Sequence, residues 1–467
     1  MNKTLLVLLT FLLLYSCSDS AIEKDKGGWI GGEIVNPVSN YIILTKNEKA
    51  IDTIHLDSKN RFLFRLDTIE KGIYNFIHNE YQIIYLEPGD SLMIYLNTIE
   101  FDESLAFSGK GAERNNFLIE MFLYNEIENQ KMPPLYQLQP EIFISKLDSM
   151  RQERLKSLDN FSKKYKPCSS FSEVAQANIN YDYYAKRELY PYAHFGRNNK
   201  ENINSLSDKY YDFRSEINYN NKNLQSYYTY YRFLLSHFDN LAFELYKDQA
   251  EYNNESYLHV SNKQKLINKF VTLDPLKNSL IRTTTRLFVL NCRNADEEEQ
   301  VMKLFNSIST DDAHKIELKK LSEASLKIMP GKKLPNLSLL NYDNQVNGFL
   351  SVIKRPTVIY FWSDKSINHY RNVHSKAEEL KQKYPEFDFI AINTNEDQEA
   401  WKRIVQRSNY NKNNEFRFQN PSSAMDQLVI NTINKVMIID INGVILDNNT
   451  NLFSVTFEEE LLGILNQ

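Results

Sequence analysis

The chain is poor in cysteine and has no strong excess of charge. Its 467 residues include three Cys, and 55 Lys plus Arg nearly balance 60 Asp plus Glu, which gives a net charge of -5. No basic stripe interleaves with the aromatic residues, so the composition argues against a nucleic-acid partner. No Cys-x-x-Cys and no Cys/His cluster with zinc-ligand spacing occurs. The sequence therefore predicts no local redox dithiol, no metal site and no cofactor.

Long apolar runs are also missing. An apolar run near the start covers residues 5–14, but it is shorter than the ~20 residues that a membrane-spanning helix needs. Residues 1–16 are therefore predicted to be a signal peptide. The run ends in LYSC at residues 14–17, which resembles a bacterial lipobox except at Tyr15, where a small residue is usual. The resemblance implies lipidation of Cys17; a conventional signal peptide followed by a chance cysteine is the alternative.

Lipidation would make the membrane a partner of this protein, because several acyl chains hold a protein firmly on a bilayer. Residues 17–28 are polar and acidic and are predicted to form a flexible tether. No other stretch is apolar enough to span. We therefore expect a protein of the cell envelope, lipid-anchored to the outer membrane on its periplasmic face or at the cell surface.

The segment from residue 29 to 110 has the pattern of a β-domain. Apolar and polar residues alternate with a period of two, and turn residues such as those of Glu87-Pro88-Gly89-Asp90 interrupt the alternation. The succession of LEPGDSLMIYL and FSGKGAERNNF resembles a β-sandwich domain of unknown function. The sequence thus predicts an N-terminal antiparallel β-sandwich.

Residues 111–326 have the pattern of a helical domain. Apolar residues recur at a spacing of three to four, as in 117–123 and 142–147. Tyr-rich clusters in this domain are predicted to be core and interface residues rather than the lining of a ligand groove. For Cys168 and Cys292, two free and partly buried thiols are favoured over a disulfide, which stays open as the alternative.

The segment 327–467 alternates strands and helices. An apolar strand at 357–362 is followed by a helix through Leu380, a second strand, a second helix, and a hairpin with its turn at Asn442-Gly443. The order of GKKLPNLSLL, VIYFW, DQEAWK and VMIIDINGVIL resembles the TlpA-like thioredoxin family. The resemblance implies a thioredoxin-like α/β domain, so the whole chain is predicted to be a multi-domain α+β protein.

The residues that carry redox chemistry in that family are replaced here. In the family, the strand ending Phe-Trp leads to a Cys-x-x-Cys at a helix start, where the helix dipole stabilises a thiolate. Aligned on Phe361-Trp362, the two cysteine positions fall on Ser366 and His369. A serine cannot form a disulfide, so thiol exchange is closed at this position. The family's cis-proline falls on Asn434, and the bond before it is predicted to be trans, since a non-proline cis bond costs ~2.5–4 kcal/mol.

The sequence therefore favours a non-catalytic role. We expect an envelope protein that binds a protein, peptide or other ligand through its β and helical domains, with a redox-inactive thioredoxin-like domain as scaffold. The rival hypothesis is a thiol-disulfide oxidoreductase of the TlpA-like family that acts through Cys168 or Cys292. That hypothesis predicts that one of these thiols lies near Ser366 and His369.

Two lesser alternatives use the replacement residues themselves. Ser366 as nucleophile, His369 as base and Asp364 as the group that orients the histidine would suit hydrolysis. An ordinary helix N-cap at Asp364, Ser363 or Ser366 is favoured over it. Metal binding by Asp364, His369 and His374 is less favoured still, because two histidines five residues apart diverge on a helix.

Overall fold

The computed structural model describes residues 26–47 and 49–466. The chain divides into two compact units, with the boundary between Ser236 and His237. The fold is mixed α+β, as predicted. The predicted signal peptide and lipidation site, Cys17, lie outside the described residues, and the predicted domain boundaries stay predictions. Within the described residues, no helix combines the length and the apolar character that crossing a membrane requires.

The first unit opens with two β-sheets. Its strands are β1 (Gly28–Val35), β2 (Tyr41–Lys46), β3 (Lys49–His55), β4 (Arg61–Leu66), β5 (Gly72–His78), β6 (Glu80–Leu86), β7 (Ser91–Asn97) and β8 (Ala106–Lys110). They form sheets in the orders β4-β1-β7-β8 and β3-β2-β5-β6, whose apolar residues share one core. Neighbouring strands run antiparallel, except that β1 and β7 run parallel. The predicted β-sandwich is confirmed, with that one parallel pair as a departure.

Helices make up the rest of the first unit. They are α1 (Phe101–Ser104), α2 (Ala112–Leu135), α3 (Pro140–Tyr165), α4 (Ser169–Phe195), α5 (Lys200–Asn204) and α6 (Tyr228–Glu244), whose residues fall on both sides of the unit boundary; short 3₁₀ helices occupy Asp208–Glu216 and Lys222–Leu224. Most rings of the Tyr-rich clusters at 181–184 and 227–233 are core, as predicted, although Tyr228 is exposed. The buried ring of Tyr181 packs against Tyr230 and Phe233 at centroid distances of 4.7 and 5.2 Å.

A buried ion pair joins the β-sandwich to α2. Asp90 is 2% exposed and follows Gly89, whose φ of +82° confirms the predicted turn. The Nη2 group of Arg114 donates to both Asp90 carboxylate oxygens, at 2.8 and 2.7 Å. Burial raises the pKa of Asp90, although Arg114 pulls it down. Desolvation therefore outweighs the attraction, and the carboxylate depends on its partner.

The second unit contains helices followed by a mixed sheet with further helices. The elements in chain order are α7 (Tyr257–Phe270), α8 (Asp274–Asn291), α9 (Ala295–Ile308), α10 (Asp312–Lys327), β9 (Ser338–Asn341), β10 (Val346–Gly348), α11 (Phe349–Val352), β11 (Thr357–Trp362), α12 (Ile367–Lys383), β12 (Asp388–Asn393), α13 (Gln398–Arg407), a 3₁₀ turn (Lys412–Asn414), β13 (Glu415–Phe418), α14 (Pro421–Gln427), β14 (Val436–Ile439), β15 (Ile445–Thr450) and α15 (Phe457–Leu465). The strand order is β10-β9-β13-β12-β11-β14-β15.

Strands β11, β12 and β13 run parallel at the centre of this sheet, and β14 and β15 form the predicted antiparallel hairpin. Gly443, with φ of +78°, supplies the turn. One face packs against α12, α13 and α15. The other packs against α11 and α14, and also against Leu290 of α8 and Ile328, which follows α10. Residues from the helical segment thus share a core with the sheet.

Replacing Arg114 by Ala should destabilise the protein by about 3–5 kcal/mol, because it leaves the buried Asp90 carboxylate without its partner. Calorimetric unfolding of the full chain measures this. Asp90→Asn/Arg114→Met should cost less, since position 90 then holds no buried charge. The matched control is Lys163→Met, which breaks an exposed ion pair on α3 and should change stability by less than about 0.5 kcal/mol. Equal losses in Arg114→Ala and in the double variant would contradict this account.

Candidate functional site

The candidate site lies where β11 ends and α12 begins, in the turn formed by residues 363–366. Ser363 is buried, and its hydroxyl accepts from the backbone N–H of Lys365 at 3.2 Å. The backbone N–H of Asp364 donates to Asn395 Oδ1 at 3.0 Å. Ser366 is the N-cap residue of α12, one of the three predicted candidates, but its hydroxyl makes no capping hydrogen bond. The turn is thus held by Ser363 and by the residues after β12.

His369 lies in the first turn of α12. Both of its ring nitrogens are buried and have no hydrogen-bond partner in the described part of the chain. Burial, followed by the charge of His374, lowers the pKa of His369, and the side chain of Asn434 opposes the shift. Asn434 is close enough to act on His369, although no hydrogen bond of ordinary geometry joins them. The structure therefore brings together two of the three replaced positions and keeps His369 neutral near pH 7.

Asn434 precedes the hairpin strand β14. The peptide bond before it is trans, as predicted. Its neighbour Lys435 is buried, and the ammonium donates to the carbonyls of Leu428 and Val429 at 2.8 and 3.2 Å. Burial lowers the pKa of Lys435 to about 7. Lys435 thus links the start of β14 to the residues that follow α14. The sequence did not predict this contact, because both acceptors are main-chain carbonyls, which no side-chain pattern reveals.

The arrangement suggested for hydrolysis is not formed. Neither Ser366 nor Asp364 hydrogen-bonds to the ring of His369, and Asp364 Oδ1 is itself buried without a partner among the described residues. The suggested set of metal ligands is not assembled either, because the ring of His374 contacts other groups, 2.8 Å from Glu415 Oε1 and 2.6 Å from the Tyr370 carbonyl. In the described part of the chain, no three His, Cys, Asp or Glu side chains are grouped to hold a metal ion.

The two described cysteines are free thiols, as favoured by the sequence. The thiol of Cys292 is buried among Val260, Phe288 and Val301 and donates to the Asn294 carbonyl at 3.2 Å. Burial raises the pKa of Cys292, which disfavours the reactive thiolate. In the first unit, the side chain of Cys168 caps α4.

A buried acid-base pair beneath α12 was not predicted. Glu415, the first residue of β13, is 2% exposed, and its Oε1 lies 2.8 Å from His374 Nε2. His374 Nδ1 lies 2.6 Å from the Tyr370 carbonyl, which only accepts, so Nδ1 carries a hydrogen. The contact between Nε2 and Oε1 then holds a single proton. Burial raises the pKa of Glu415, while His374 and the indoles of Trp362 and Trp401 lower it.

The sequence held one sign of this pair. Glu415-Phe416-Arg417-Phe418 alternates polar and apolar residues, as a strand with two different faces would. A half-exposed strand is the usual explanation for such alternation, whereas all four residues of β13 are buried. Glu415 and Arg417 therefore needed polar partners on the covered face. The sequence does not reveal these partners, because they come from segments far along the chain.

Residues 354–445 match the family model described as thioredoxin-like. No curated protein matches the chain. The C-terminal domain of a protein named as a thiol-disulfide oxidoreductase from Bacteroides thetaiotaomicron is 21% identical, with 30% of this chain and 98% of that chain covered and a TM-score of 0.26. A thiol-disulfide oxidoreductase from Bacteroides fragilis is 19% identical, with 29% of this chain and 98% of that chain covered and a TM-score of 0.24. The thioredoxin domain of a thiol-disulfide oxidoreductase from Bacteroides vulgatus is 13% identical, with 29% of this chain and 95% of that chain covered and a TM-score of 0.24.

The chain therefore contains a thioredoxin-like domain in its C-terminal part. This assignment rests on the family match, which covers the segment from before β11 to the start of β15. The resemblance drawn from the sequence is confirmed for this domain.

Replacing Asn434 by Ala should lower the pKa of His369 further, because Asn434 supplies the contact that opposes the effect of burial. An NMR titration of the histidine ring signals measures the midpoint for each histidine. Asn431→Ala, a change at another exposed asparagine of the same segment, is the control and should leave the midpoint unchanged. A midpoint that rises in Asn434→Ala, or that moves equally in both variants, would refute the contact.

Proposed function

We propose that this protein is a lipid-anchored component of the cell envelope whose thioredoxin-like domain does not exchange thiols and disulfides. In this proposal, the domain serves as a scaffold, and the β and helical parts of the chain bind a protein, peptide or other ligand. The observation that carries the proposal is the pair of residues at the start of α12, where Ser366 and His369 stand at the family's two cysteine positions.

The chemistry of these positions supports the proposal. Thiol-disulfide exchange begins with a thiolate that attacks a disulfide sulfur, and a serine hydroxyl is hardly ionised near neutral pH. The neutral ring of His369 cannot take over, because it forms no covalent bond to sulfur in such an exchange. Asn434, which follows a trans peptide bond, replaces the family's cis-proline beside them.

The thiol that the described second unit does contain is poorly placed to replace the dithiol. Cys292 is packed among apolar side chains, and its pKa is raised by burial. Reactive cysteines instead have lowered pKa values and partial exposure. This environment weighs against the rival hypothesis of an oxidoreductase acting through Cys292.

An insulin-reduction assay with dithiothreitol as electron donor tests redox inactivity. The wild-type protein should match the rate without protein, whereas Ser366→Cys/His369→Cys should exceed it, because the dithiol is restored at a helix start. Ser366→Cys alone is the control and should stay at background. Wild-type reduction that disappears in Cys292→Ser or Cys168→Ser would establish the rival hypothesis instead.

The proposed anchor is tested by metabolic labelling with an alkyne fatty acid in a Gram-negative host, followed by membrane fractionation. Wild-type protein should be labelled and sediment with membranes, because the lipobox-like LYSC sequence directs acylation to Cys17. Cys17→Ser should lose both properties. Cys168→Ser, the same chemical change elsewhere, should keep both. Label that persists in Cys17→Ser would exclude Cys17 as the site.

A further inference from the structure

A polar cleft of about 740 Å³ lies along α12 and against the segment that joins α13 to β13; we call it the α12 cleft. Arg371, His374, Glu378 and Lys381 line it from the helix, at spacings of three, four and three residues that place them on one helical face. The replaced redox positions Ser366, His369 and Asn434 are not among its lining residues. The cleft is therefore a separate feature of the domain.

The floor of the cleft contains the hydroxyl of Tyr360, which has no hydrogen-bond partner among the described residues. Tyr360 of β11 lines the cleft and is 5% exposed, and its hydroxyl makes no hydrogen bond within the described residues. Burial raises the pKa of Tyr360 well above its ordinary value, so the phenol keeps its proton and can donate. The hydroxyl is not among the fully buried unpartnered polar atoms of the described residues, so it is accessible from the cleft. An acceptor that enters the cleft would satisfy it.

The rest of the floor is rigid and close to neutral. The ring of Tyr410 stacks on His374 in parallel, with centroids 3.8 Å apart. His374 in turn contacts the buried carboxylate of Glu415. Because the contact between these two groups holds one proton, the pair is either an ion pair or two neutral groups. In both forms it adds no net charge to the cleft.

The rim is positively charged. Arg371, Lys381 and Arg407 line the cleft, and none of them forms an ion pair within the part of the chain that the structure describes. Glu378 is the opposing carboxylate on the rim. Amide side chains of Asn409, Asn411 and Asn414 add further donors and acceptors. Three cations against one carboxylate favour an anion, and the volume of the cleft suits a small molecule.

We propose that the α12 cleft binds a small organic anion, whose carboxylate or phosphate group meets Arg371, Lys381 and Arg407 while an oxygen of the molecule accepts from Tyr360. Charge-assisted hydrogen bonds to arginine supply most of the attraction, and the hydroxyl of Tyr360 supplies orientation. This proposal does not require the domain to be redox-inactive, so its test is independent of the function proposed above.

Intrinsic fluorescence gives a local readout for the test. The chain has three Trp, and two of them, Trp362 and Trp401, belong to the core cluster that contains Tyr360; the ring of Trp362 lies 5.3 Å from that of His374. The third, Trp29, lies in β1 of the first unit, so Trp29→Phe removes its signal. In that background, citrate and inorganic phosphate are titrated separately, with sodium chloride at equal ionic strength as the reference. We expect a saturable change with citrate, with phosphate, or with both.

Matched variants assign the binding to the cleft. Tyr360→Phe should weaken it about 5-fold, the value of one neutral hydrogen bond, without lowering the melting temperature. Arg371→Ala/Arg407→Ala should weaken it by about 10-fold or more. Arg403→Ala, one turn earlier on α13 and outside the cleft lining, should bind like the wild type. Near-ultraviolet circular dichroism checks that each variant is folded.

Two results would overturn the proposal. The first is the absence of a saturable change with both anions relative to sodium chloride. The second is binding that is equally strong in the wild type and in Arg371→Ala/Arg407→Ala. Citrate binding without phosphate binding would support the proposal and identify a carboxylate as the recognised group, and the reverse would identify a phosphate.

Discussion

The burial of β11 on both faces is the constraint on which the second unit depends. All six of its residues are buried, and it lies between parallel β12 and antiparallel β14. A central strand of this kind needs apolar cover on each side. On one side α12, α13 and α15 supply it; on the other, α11 and α14 do so together with Leu290 and Ile328 from the helical segment. Because α12 must begin where β11 ends and lie against the sheet, its first turn and its cleft-facing residues are both set by this packing.

The two charged side chains of β13 are tolerated under α12 because each finds at least one partner close by. An unpaired buried carboxylate would be expensive, but Glu415 meets His374 at 2.8 Å. Arg417, two residues further along β13, donates to the carbonyls of Asn395 and Glu396 at 3.2 and 3.0 Å. The period of two in β13 therefore produces one apolar face and one polar face whose charged groups are each paired through part of the side chain. Because Glu415 and His374 together carry no net charge, the charge of the neighbouring cleft depends on the side chains at its rim.

Local patterns predicted the elements, and long-range contacts decided the site. The strand at Thr357–Trp362 and the turn at Gly443 follow from short-range periodicity and turn chemistry, and both are found. The parallel pairing of β1 with β7 and the meeting of Glu415 with His374, 41 residues apart, depend on how separate elements pack. No period in the sequence encodes such pairings. Ser366 shows this limit, because the sequence left the N-cap open among Ser363, Asp364 and Ser366, and the choice of Ser366 without a capping hydrogen bond depends on local geometry.

The replaced redox positions and Tyr360 differ in how far the packing of the domain explains them. Ser366 and His369 are partly exposed at the start of α12, so a change of residue there disturbs the packing of the sheet less than a change in its core. Tyr360 is different, because it sits within the core on the same face as Val358 and Trp362. A phenylalanine there would pack the same ring, so the apolar core does not require the hydroxyl of Tyr360. Packing accounts for the ring of Tyr360 but not for its oxygen, which lines the α12 cleft and can donate to the anion that we propose to bind there.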